Sequence, residues 1–358
     1  MTIRVAQVGT GNVGGHALRG IIANPELELA AVWVSSHAKA GRDAAELAGL
    51  SSPTGVKATA ELDEIIAAQP DCGVYTAMAD NRLPEALEDY RRLLAAGINM
   101  VGSGPVFLQY PYEVLPDELV RPLEEATQQG NSSLFVNGID PGFANDLLPL
   151  ALAGTCQHIE QVRCMEIVDY ATYDSAAVMF DIMGFGKPLD EIPVLLQPGV
   201  LSLAWGSVVR QLAAGLGVKL DEVVDVYFRE PAPEDFEIAS GFVPKGSAAA
   251  LRFEVRGLID ERPAVVLEHV TRLREDLCPE WPQPAQPGGS YRVEITGEPC
   301  YAMDLCLSSR NGDHNYAGLV ATAMRIVNAV PAVVAAEPGI RSTLDLPLVT
   351  GKGLYAGY

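Results

Sequence analysis

A glycine-rich turn near the beginning of the chain constrains the fold more than any other feature of the sequence. Residues 3–8 (IRVAQV) form a short apolar run rich in β-branched side chains, and Gly9, Gly11 and Gly14 follow it in the pattern G-x-G-x-x-G. Apolar residues then recur at helical spacing as far as Ile22. The pattern predicts a buried strand, a tight turn and a helix.

This arrangement is typical of dinucleotide-binding domains. Gly9 lets the chain turn sharply, Gly11 leaves room for a pyrophosphate beside the backbone, and Gly14 lets the helix pack close to the strand. The free N–H groups and the positive end of the helix then hold the phosphates. We therefore expect the whole turn to bind the cofactor: Gly9, Thr10, Gly11, Asn12, Val13 and Gly14. A glycine-rich turn that binds nothing is the alternative.

The end of the second predicted strand, residues 28–34, bears on the choice of cofactor. Sites selective for NAD usually place an Asp or Glu there, which holds the ribose 2′-OH. This chain has Ser35, Ser36, His37 and Lys39 instead, and such side chains can receive a 2′-phosphate. We therefore expect NADP to be preferred, with NAD still possible. Alternatively, Lys39 and the nearby Arg42 only solvate the next helix.

Strands and helices alternate through residues 1–148, which predicts a Rossmann-type α/β domain with a doubly wound parallel sheet. Ligands bind beyond the carboxyl ends of the strands in such sheets, so residues that leave those ends join the predicted cofactor site. These residues are Thr76, Ala77, Ser103, Gly138 and Asp140. Asp140 could instead cap the helix that follows it. A long apolar helix over 316–336 is expected to return the C-terminal segment 311–358 to this domain.

Residues 149–310 have a different, strand-rich character, which predicts a second α+β domain built on a mixed sheet. We expect this domain to bind the substrate and to form a homodimer. Tyr170 and Tyr173 follow a predicted strand over 159–168 and could hydrogen-bond a carbonyl or an amine, or else pack in the core. His269 alternates with Glu268 in another predicted strand, so one of the two points inward. The candidate catalytic residues are therefore Tyr170, Tyr173 and the inward member of this pair; if that member is His269, it could equally be a core histidine with satisfied hydrogen bonds.

Apolar residues near these positions predict a pocket for a bulky hydrophobic substrate. The candidates are Phe107, Leu108 and Phe143, with Arg163 as a polar member. Arg163 and Glu166 could form an ion pair in this pocket; the alternative is a structural pair at the surface of the sheet.

Composition excludes several classes of protein. The net charge is −21, from 46 acidic and 25 basic residues, and such a field repels nucleic acids and anionic membranes. We see no targeting segment and no apolar run near the length of about 20 residues that crosses a membrane. The six cysteines include no C-x-x-C pair and the five histidines show no metal-ligand spacing. We expect a cytoplasmic protein with reduced thiols and no metal.

Four motifs occur together in order: GTGNVG near the start, NGIDPGFAND at 137–146, EHVTR at 268–272 and TAMRIVNAVPAV at 322–333. The chain thereby resembles the dihydrodipicolinate-reductase-like oxidoreductases. It is most similar to the branch with 2,4-diaminopentanoate dehydrogenase and the native NAD(P)-dependent amine dehydrogenases. The resemblance implies a Rossmann domain, an α+β domain and a homodimer. It also implies reversible conversion of a ketone and ammonia into a primary amine, with hydride exchanged with nicotinamide, and it favours His269 in the site.

The chain departs from this resemblance in one segment. The similar amine dehydrogenases have a glutamate after the fifth strand that serves in proton transfer, whereas residues 101–111 here contain no acid and Glu113 is the first. The alignment could slide, another group could do this work, or the substrate is not an amine. We expect reductive amination of a hydrophobic ketone. The alternatives are an NADP-dependent reductase or dehydrogenase acting on C=O or C=N bonds of a non-amine substrate, and a non-catalytic sensor that binds the dinucleotide.

Overall fold

The structure is a computed structural model that describes residues 2–79, 82–310 and 312–355. The chain forms two compact units. The first comprises the described residues up to Ile139 together with those from Leu319 onward, and the second comprises Asp140–Gly318. The domain boundary predicted at residue 311 and the last residues of the predicted tail, 356–358, lie outside the described residues.

The regular elements alternate in the first unit and are mainly strands in the second. The helices are α1 (Asn12–Ala23), α2 (Ala44–Ala48), α3 (Leu62–Ala67), α4 (Leu83–Ala95), α5 (Asp117–Gly130), α6 (Leu147–Ala153), α7 (Val200–Ala204), α8 (Gly206–Leu216) and α9 (His314–Val334). The strands are β1 (Ile3–Val8), β2 (Leu27–Trp33), β3 (Ala58–Thr59), β4 (Cys72–Tyr75), β5 (Asn99–Gly102), β6 (Ser133–Val136), β7 (His158–Asp169), β8 (Glu222–Pro231), β9 (Phe236–Ile238), β10 (Gly241–Val243), β11 (Ala248–Ile259), β12 (Arg262–Arg272), β13 (Gly289–Glu298), β14 (Tyr301–Leu305) and β15 (Gly339–Arg341).

The sheet of the first unit has seven parallel strands in the order β15-β6-β5-β4-β1-β2-β3. This confirms the predicted parallel doubly wound sheet. Strands β1, β4, β5 and β6 are mostly buried, because helices cover a parallel sheet of this kind on both faces. The strand β15 was not predicted. It has only three residues, too few to show a period in the sequence.

Helix α9 supplies a large part of the core of the first unit. Its buried residues pack with Val5, Ile21 and Phe135, and they are Ala323, Ile326, Val327, Ala329, Val330 and Val333. By length and composition this helix could cross a membrane, which corrects the expectation that no apolar run approaches that length. The core helix of a soluble protein passes the same test, so the finding is weak evidence for a membrane.

The main sheet of the second unit has six strands in the order β14-β13-β7-β12-β11-β8. Strands β7 and β12 are parallel and the other pairs are antiparallel, which confirms the predicted mixed sheet. Successive side chains of a strand point to opposite faces. The inner face carries the apolar core, including Cys164, Phe253 and Leu267, and α8 packs against it through Val208 and Leu212.

The opposite, outer face carries a network of arginines and glutamates. Glu268 is 1% exposed and accepts hydrogen bonds from Arg163 and Arg252. Glu254 accepts from Arg163 at 3.1 Å and from Arg256 at 2.5 Å. Burial alone would raise the pKa of Glu254, but these arginines hold it below its usual value. The network therefore favours the ionised form of the buried Glu254 carboxylate, and it pairs the buried Glu268 with two arginines.

Two predicted helices of the second unit differ from the structure. The helix predicted over 200–216 is divided into α7 and α8, with Trp205 between them. The helix predicted over 178–185 is a short π-helical segment, Ala177–Ile182. The break at Trp205 matters for the site described below, because the indole of Trp205 reaches a buried carboxylate from this position.

Candidate active site

The glycine turn of the first unit combines two tightly packed glycines with one that faces open space. Gly9 has φ of +95°, and a Cβ built there would lie 2.6 Å from the backbone nitrogen of Ala77. A Cβ on Gly14 would lie 2.6 Å from Oγ1 of Thr76. A Cβ on Gly11 would meet nothing within 4 Å. Packing within the protein therefore explains Gly9 and Gly14, whereas the open space at Gly11 fits a ligand that approaches the backbone.

The carboxyl ends of neighbouring strands bring the other predicted cofactor residues of the first unit to the same edge. Strands β6, β5, β4, β1 and β2 are adjacent in the sheet, and they lead to Gly138, Ser103, Thr76, Gly9 and Ser35, respectively. A buried side chain ties two of these ends together, because Nε2 of Gln7 donates to the carbonyl of Gly9 and to Oγ1 of Thr76, both at 2.7 Å.

The segment after β2 lies beside the glycine turn. Nζ of Lys39 donates to the carbonyl of Thr10 at 3.0 Å and lies 3.3 Å from its Oγ1. Ser35, Ser36 and His37 are exposed. The segment thus presents two hydroxyls, an imidazole and a cation, and it contains no carboxylate.

The second unit contains a buried group of titratable side chains at the inner face of its sheet. Nδ1 of His269 lies 3.1 Å from Oε2 of Glu166, its neighbour in the register of β12 and β7. Nε2 of His269 lies 3.2 Å from Oδ1 of Asp140. The hydroxyl of Tyr170 donates to Oε2 of Glu166 at 3.0 Å, and Nε1 of Trp205 donates to Oδ1 of Asp140 at 3.3 Å. We call Asp140, Glu166, Tyr170 and His269 the acid–imidazole cluster.

Aromatic rings enclose the imidazole of His269. The ring of Phe253 is stacked on it, with centroids 4.7 Å apart and planes within 7°. Trp205 meets it edge-on, also at 4.7 Å. Tyr291, which pairs with Glu166 in the register of β13 and β7, approaches the carboxylate from the other side. The ring therefore has little freedom to turn, and its two nitrogens stay about 3.1–3.2 Å from the two carboxyl groups.

The electrostatics of the cluster favour a charged histidine. Burial alone would lower the pKa of His269, but the Asp140 carboxylate and Glu166 raise it to about 10. Burial and the nearby Glu166 raise the pKa of the phenol of Tyr170. Strongly perturbed titratable groups of this kind are typical of functional sites.

The structure brings some of the predicted site residues together and separates others. His269 and Tyr170 belong to the cluster, and Tyr173 is stacked on Tyr170 with ring centroids 5.0 Å apart. Asp140, predicted at the cofactor, lies in the second unit at His269. The alternative that Asp140 caps the following helix is wrong, because Asp146 is the residue that caps α6.

The predicted ion pair between Arg163 and Glu166 is wrong. The two residues are three apart in one strand, so their side chains point to opposite faces of the sheet. Arg163 pairs with Glu254 and Glu268 on the outer face, away from His269. In the first unit Leu108 is fully buried and Phe107 is 6% exposed, and in the second Phe143 is partly buried. Their role in a substrate pocket stays a prediction.

Sequence reasoning missed the link between Glu166 and His269, and the role of Trp205. A signal was available in the strands themselves. Glu166 follows Val162 and Cys164 on one face of β7, and His269 follows Val265 and Leu267 on one face of β12. A charged side chain within an otherwise apolar face needs a buried partner, since an unpaired buried charge is costly. The register that joins the two strands could not be predicted from the sequence.

Comparisons with known proteins are consistent with this architecture. A family model described as the 2,4-diaminopentanoate dehydrogenase C-terminal domain matches residues 143–353, more than half of the chain. An amine dehydrogenase from Streptomyces virginiae is 40% identical over 343 residues, which cover 95% of each chain. The solved structure of an amine dehydrogenase from Mycobacterium smegmatis matches with a TM-score of 0.79 and 21% identity, covering 99% of each chain. GenD2 from gentamicin A biosynthesis, solved in complex with NAD, matches with a TM-score of 0.54 and 17% identity, covering 92% of this chain and 86% of GenD2.

Proposed function

The chain belongs to the 2,4-diaminopentanoate dehydrogenase family of NAD(P)-dependent oxidoreductases, and from this premise we propose that it catalyses the reversible reductive amination of a hydrophobic ketone to a primary amine. The acid–imidazole cluster is the observation that carries the proposal. Amination needs a group that gives or takes a proton beside the reacting carbon, and the cluster holds two carboxyl groups, an imidazole and a phenol within hydrogen-bonding distance of one another.

The chain's own residues divide the work between cofactor binding and proton transfer. We assign the nicotinamide dinucleotide to the glycine turn and the adjacent strand ends, with Gly11 at the pyrophosphate and Thr76 and Ala77 beside it. When bound, the dinucleotide supplies or accepts the hydride. The charged His269 holds Asp140 and Glu166 in place. The two carboxyl groups of the cluster are suited to accept hydrogen bonds from an ammonium group.

The aromatic residues of the second unit support a hydrophobic substrate. Tyr170, Tyr173 and Trp205 are partly exposed, and they lie at or beside the cluster. Aromatic faces attract both apolar groups and ammonium ions. Phe143 extends the proposed apolar lining within the second unit, and the part of Phe107 and Leu108 of the first unit stays a prediction.

A panel of ketones tests the proposed function. Purified protein is incubated with NADPH or NADH and a series of aliphatic and aromatic ketones, with and without ammonia. Oxidation of the reduced cofactor that requires ammonia supports the proposal. Oxidation that is independent of ammonia indicates a reductase acting on a non-amine substrate. Dinucleotide binding without turnover of any ketone indicates a sensor.

We further propose that NADP is the preferred cofactor. The exposed hydroxyls of Ser35 and Ser36, with His37 and Lys39, support this choice because they can neutralise or hydrogen-bond a 2′-phosphate. Ser36→Asp places a negative charge there and should reverse the preference. Fluorescence titration of both dinucleotides measures it, with Ser51→Asp, on an exposed loop of the same unit, as the control. Tighter binding of NAD by the unmodified chain would contradict the proposal.

We also propose that the protein is a homodimer that buries part of the second sheet. The outer face of β8 supports this, since it presents Val224, Val226 and Phe228, and Phe228 is 56% exposed. Exposed apolar strands at a sheet edge are usually covered. Light scattering should give twice the 38.1 kDa mass of one chain, and Phe228→Glu should lower that mass. A single-chain mass at micromolar concentration would rule the dimer out.

A further inference from the structure

The segment after β5 provides no carboxylate for proton transfer. Residues 101–111 contain no Asp or Glu, and the short 3-10 helix Val106–Gln109 fills the middle of this segment with buried side chains. Glu113, the first acid after it, is exposed. A proton acceptor for amine oxidation must therefore come from elsewhere in the chain, and buried carboxyl groups of the second unit are the candidates.

These buried carboxyl groups have different partners. Glu254 and Glu268 are bound by arginines, and a guanidinium stays charged at every pH that a protein survives. A carboxylate in such a pair cannot take up a proton without breaking the pair. Asp146 caps α6 through its side chain. These three acids serve the fold.

Glu166 has partners of another kind. Its Oε2 accepts from the Tyr170 hydroxyl at 3.0 Å and lies 3.1 Å from Nδ1 of His269, and Tyr291 faces it from β13. A phenol hydroxyl can rotate to donate or to accept a hydrogen bond, so it can pass a proton on without leaving its place. His269 supplies a positive charge that Glu166 shares with Asp140. Glu166 is only 7% exposed, so bulk water does not surround its carboxylate.

We propose that Glu166 takes up the proton that the substrate ammonium group loses, with the Tyr170 hydroxyl linking the substrate nitrogen to Oε2. Glu166 thereby supplies the carboxylate that the segment after β5 lacks. This inference rests on the proposed amine dehydrogenase function. It assigns Tyr170 the contact with the substrate, and it makes His269 and Asp140 positioning residues that hold the Glu166 carboxylate.

The step balances in the oxidative direction. One N–H bond of the protonated primary amine breaks as its proton passes to the Tyr170 oxygen, and the Tyr170 proton moves to Oε2 of Glu166. The C–H bond on the carbon that bears the nitrogen then breaks, and its electron pair leaves with the hydrogen as hydride, which a bound oxidised nicotinamide dinucleotide would accept. The nitrogen lone pair forms the C=N bond of a protonated imine. Addition of water and loss of an ammonium ion give the ketone, and Glu166 finally returns its proton to solvent.

Matched glutamate variants test the role of Glu166. Glu166→Gln should lower kcat for the best ketone and amine pair by about 10²–10⁴-fold, the usual contribution of a general acid–base group, with dinucleotide affinity unchanged. It should also remove the acidic limb of the pH profile, and Glu166→Asp should retain more activity than Glu166→Gln. Glu268→Gln is the control, because it makes the same change at another buried glutamate, on the outer face. Its kcat should stay within about threefold of that of the unmodified chain.

The titration of His269 gives a second readout that does not depend on turnover. Several groups face Glu166 and the imidazole of His269. They are Tyr170, Tyr291, Asp140 and Trp205, with His314 behind Tyr291. NMR of labelled histidine, assigned with His269→Asn, follows the imidazole. Glu166→Gln should lower the pKa of His269, whereas Glu268→Gln should leave it unchanged.

The outcomes separate this inference from the proposed function. Ammonia-dependent turnover that survives in Glu166→Gln overturns the inference alone. An equal loss of kcat in Glu268→Gln, an unchanged His269 titration in Glu166→Gln, or loss of all activity in Glu113→Gln also overturns it. Absence of ammonia-dependent turnover in the unmodified chain overturns the proposed function and this inference with it.

Discussion

The two faces of the six-stranded sheet carry charged groups from the same strands, but they use these groups differently. On the outer face, arginines neutralise Glu254 and Glu268. On the inner face, one imidazole lies between Asp140 and Glu166. Glu268 and His269 are adjacent in the chain, so a change of one residue in register would exchange the two environments. The difference teaches that a buried carboxylate held by arginines keeps its countercharge at every pH and serves the fold. A buried carboxylate held by a histidine and a tyrosine has partners that can themselves gain or lose a proton, as the proposed role of Glu166 requires.

The largest difference between the faces should appear in the pH dependence of stability. His269 has a folded pKa of about 10, above its ordinary value of 6.5, so its stabilising contribution is complete below pH 6.5 and is lost as the pH rises toward 10. The difference in unfolding free energy between the unmodified chain and His269→Asn should therefore shrink across that window. Denaturant unfolding at several pH values measures it, and a difference that stays constant from pH 6.5 to 10 would contradict the assigned charge.

Removing a carboxylate from the outer face should destabilise the protein without affecting catalysis. Breaking a buried ion pair costs about 3–5 kcal/mol, and because Arg163 and Arg252 are partly exposed we expect about 3 kcal/mol for Glu268→Gln. The midpoint of urea unfolding measures the effect. Asp304→Asn is the control, because its pair with Arg292 is more exposed and should contribute only about 0–1 kcal/mol. Equal urea midpoints for Glu268→Gln and Asp304→Asn would show that the buried ion pairs of the outer face stabilise the protein no more than an exposed pair does.

The smallest of these effects should be the loss of activity when the imidazole is removed. His269→Asn keeps a polar side chain but loses the positive charge that holds Glu166 and Asp140. We expect kcat to fall by at least about tenfold, or about 1.4 kcal/mol, with dinucleotide affinity nearly unchanged. His158→Asn serves as the control, since the side chain of His158 is 57% exposed and pairs with Glu160 at the surface. Turnover at the unmodified rate would show that the inner face is structural too.

The sequence was most informative where the residues of a site are close together in the chain. The glycine turn lies within six consecutive residues, and each of its glycines has the predicted environment or space. The acid–imidazole cluster draws on Asp140, Glu166 and His269, which come from three distant segments. Strand alternation shows that Glu268 and His269 face opposite ways, but it does not show which face is covered. The same alternation excludes a pair between Arg163 and Glu166, and applying it would have corrected that prediction from sequence alone.

Short elements also limited what could be predicted from the sequence. The strand β15 and the hairpin of β9 and β10 have three residues per strand, so no period can be read from them. Gly206 directly follows the break at Trp205, but the apolar pattern continues through it. Tertiary packing therefore determined these features, including the placement of the indole beside Asp140.

The composition of the first unit from two distant stretches of chain has a consequence for biosynthesis. The chain emerges from the ribosome N-terminus first, so β1, α1 and β6 emerge long before the part of α9 that covers Val5, Ile21 and Phe135. The strand β15, which pairs with β6, also emerges only after the second unit. Apolar surface of the nascent unit therefore stays open while the entire second unit is translated, a state prone to aggregation and suited to chaperone binding. Premature termination anywhere before residue 319 would leave that surface permanently open.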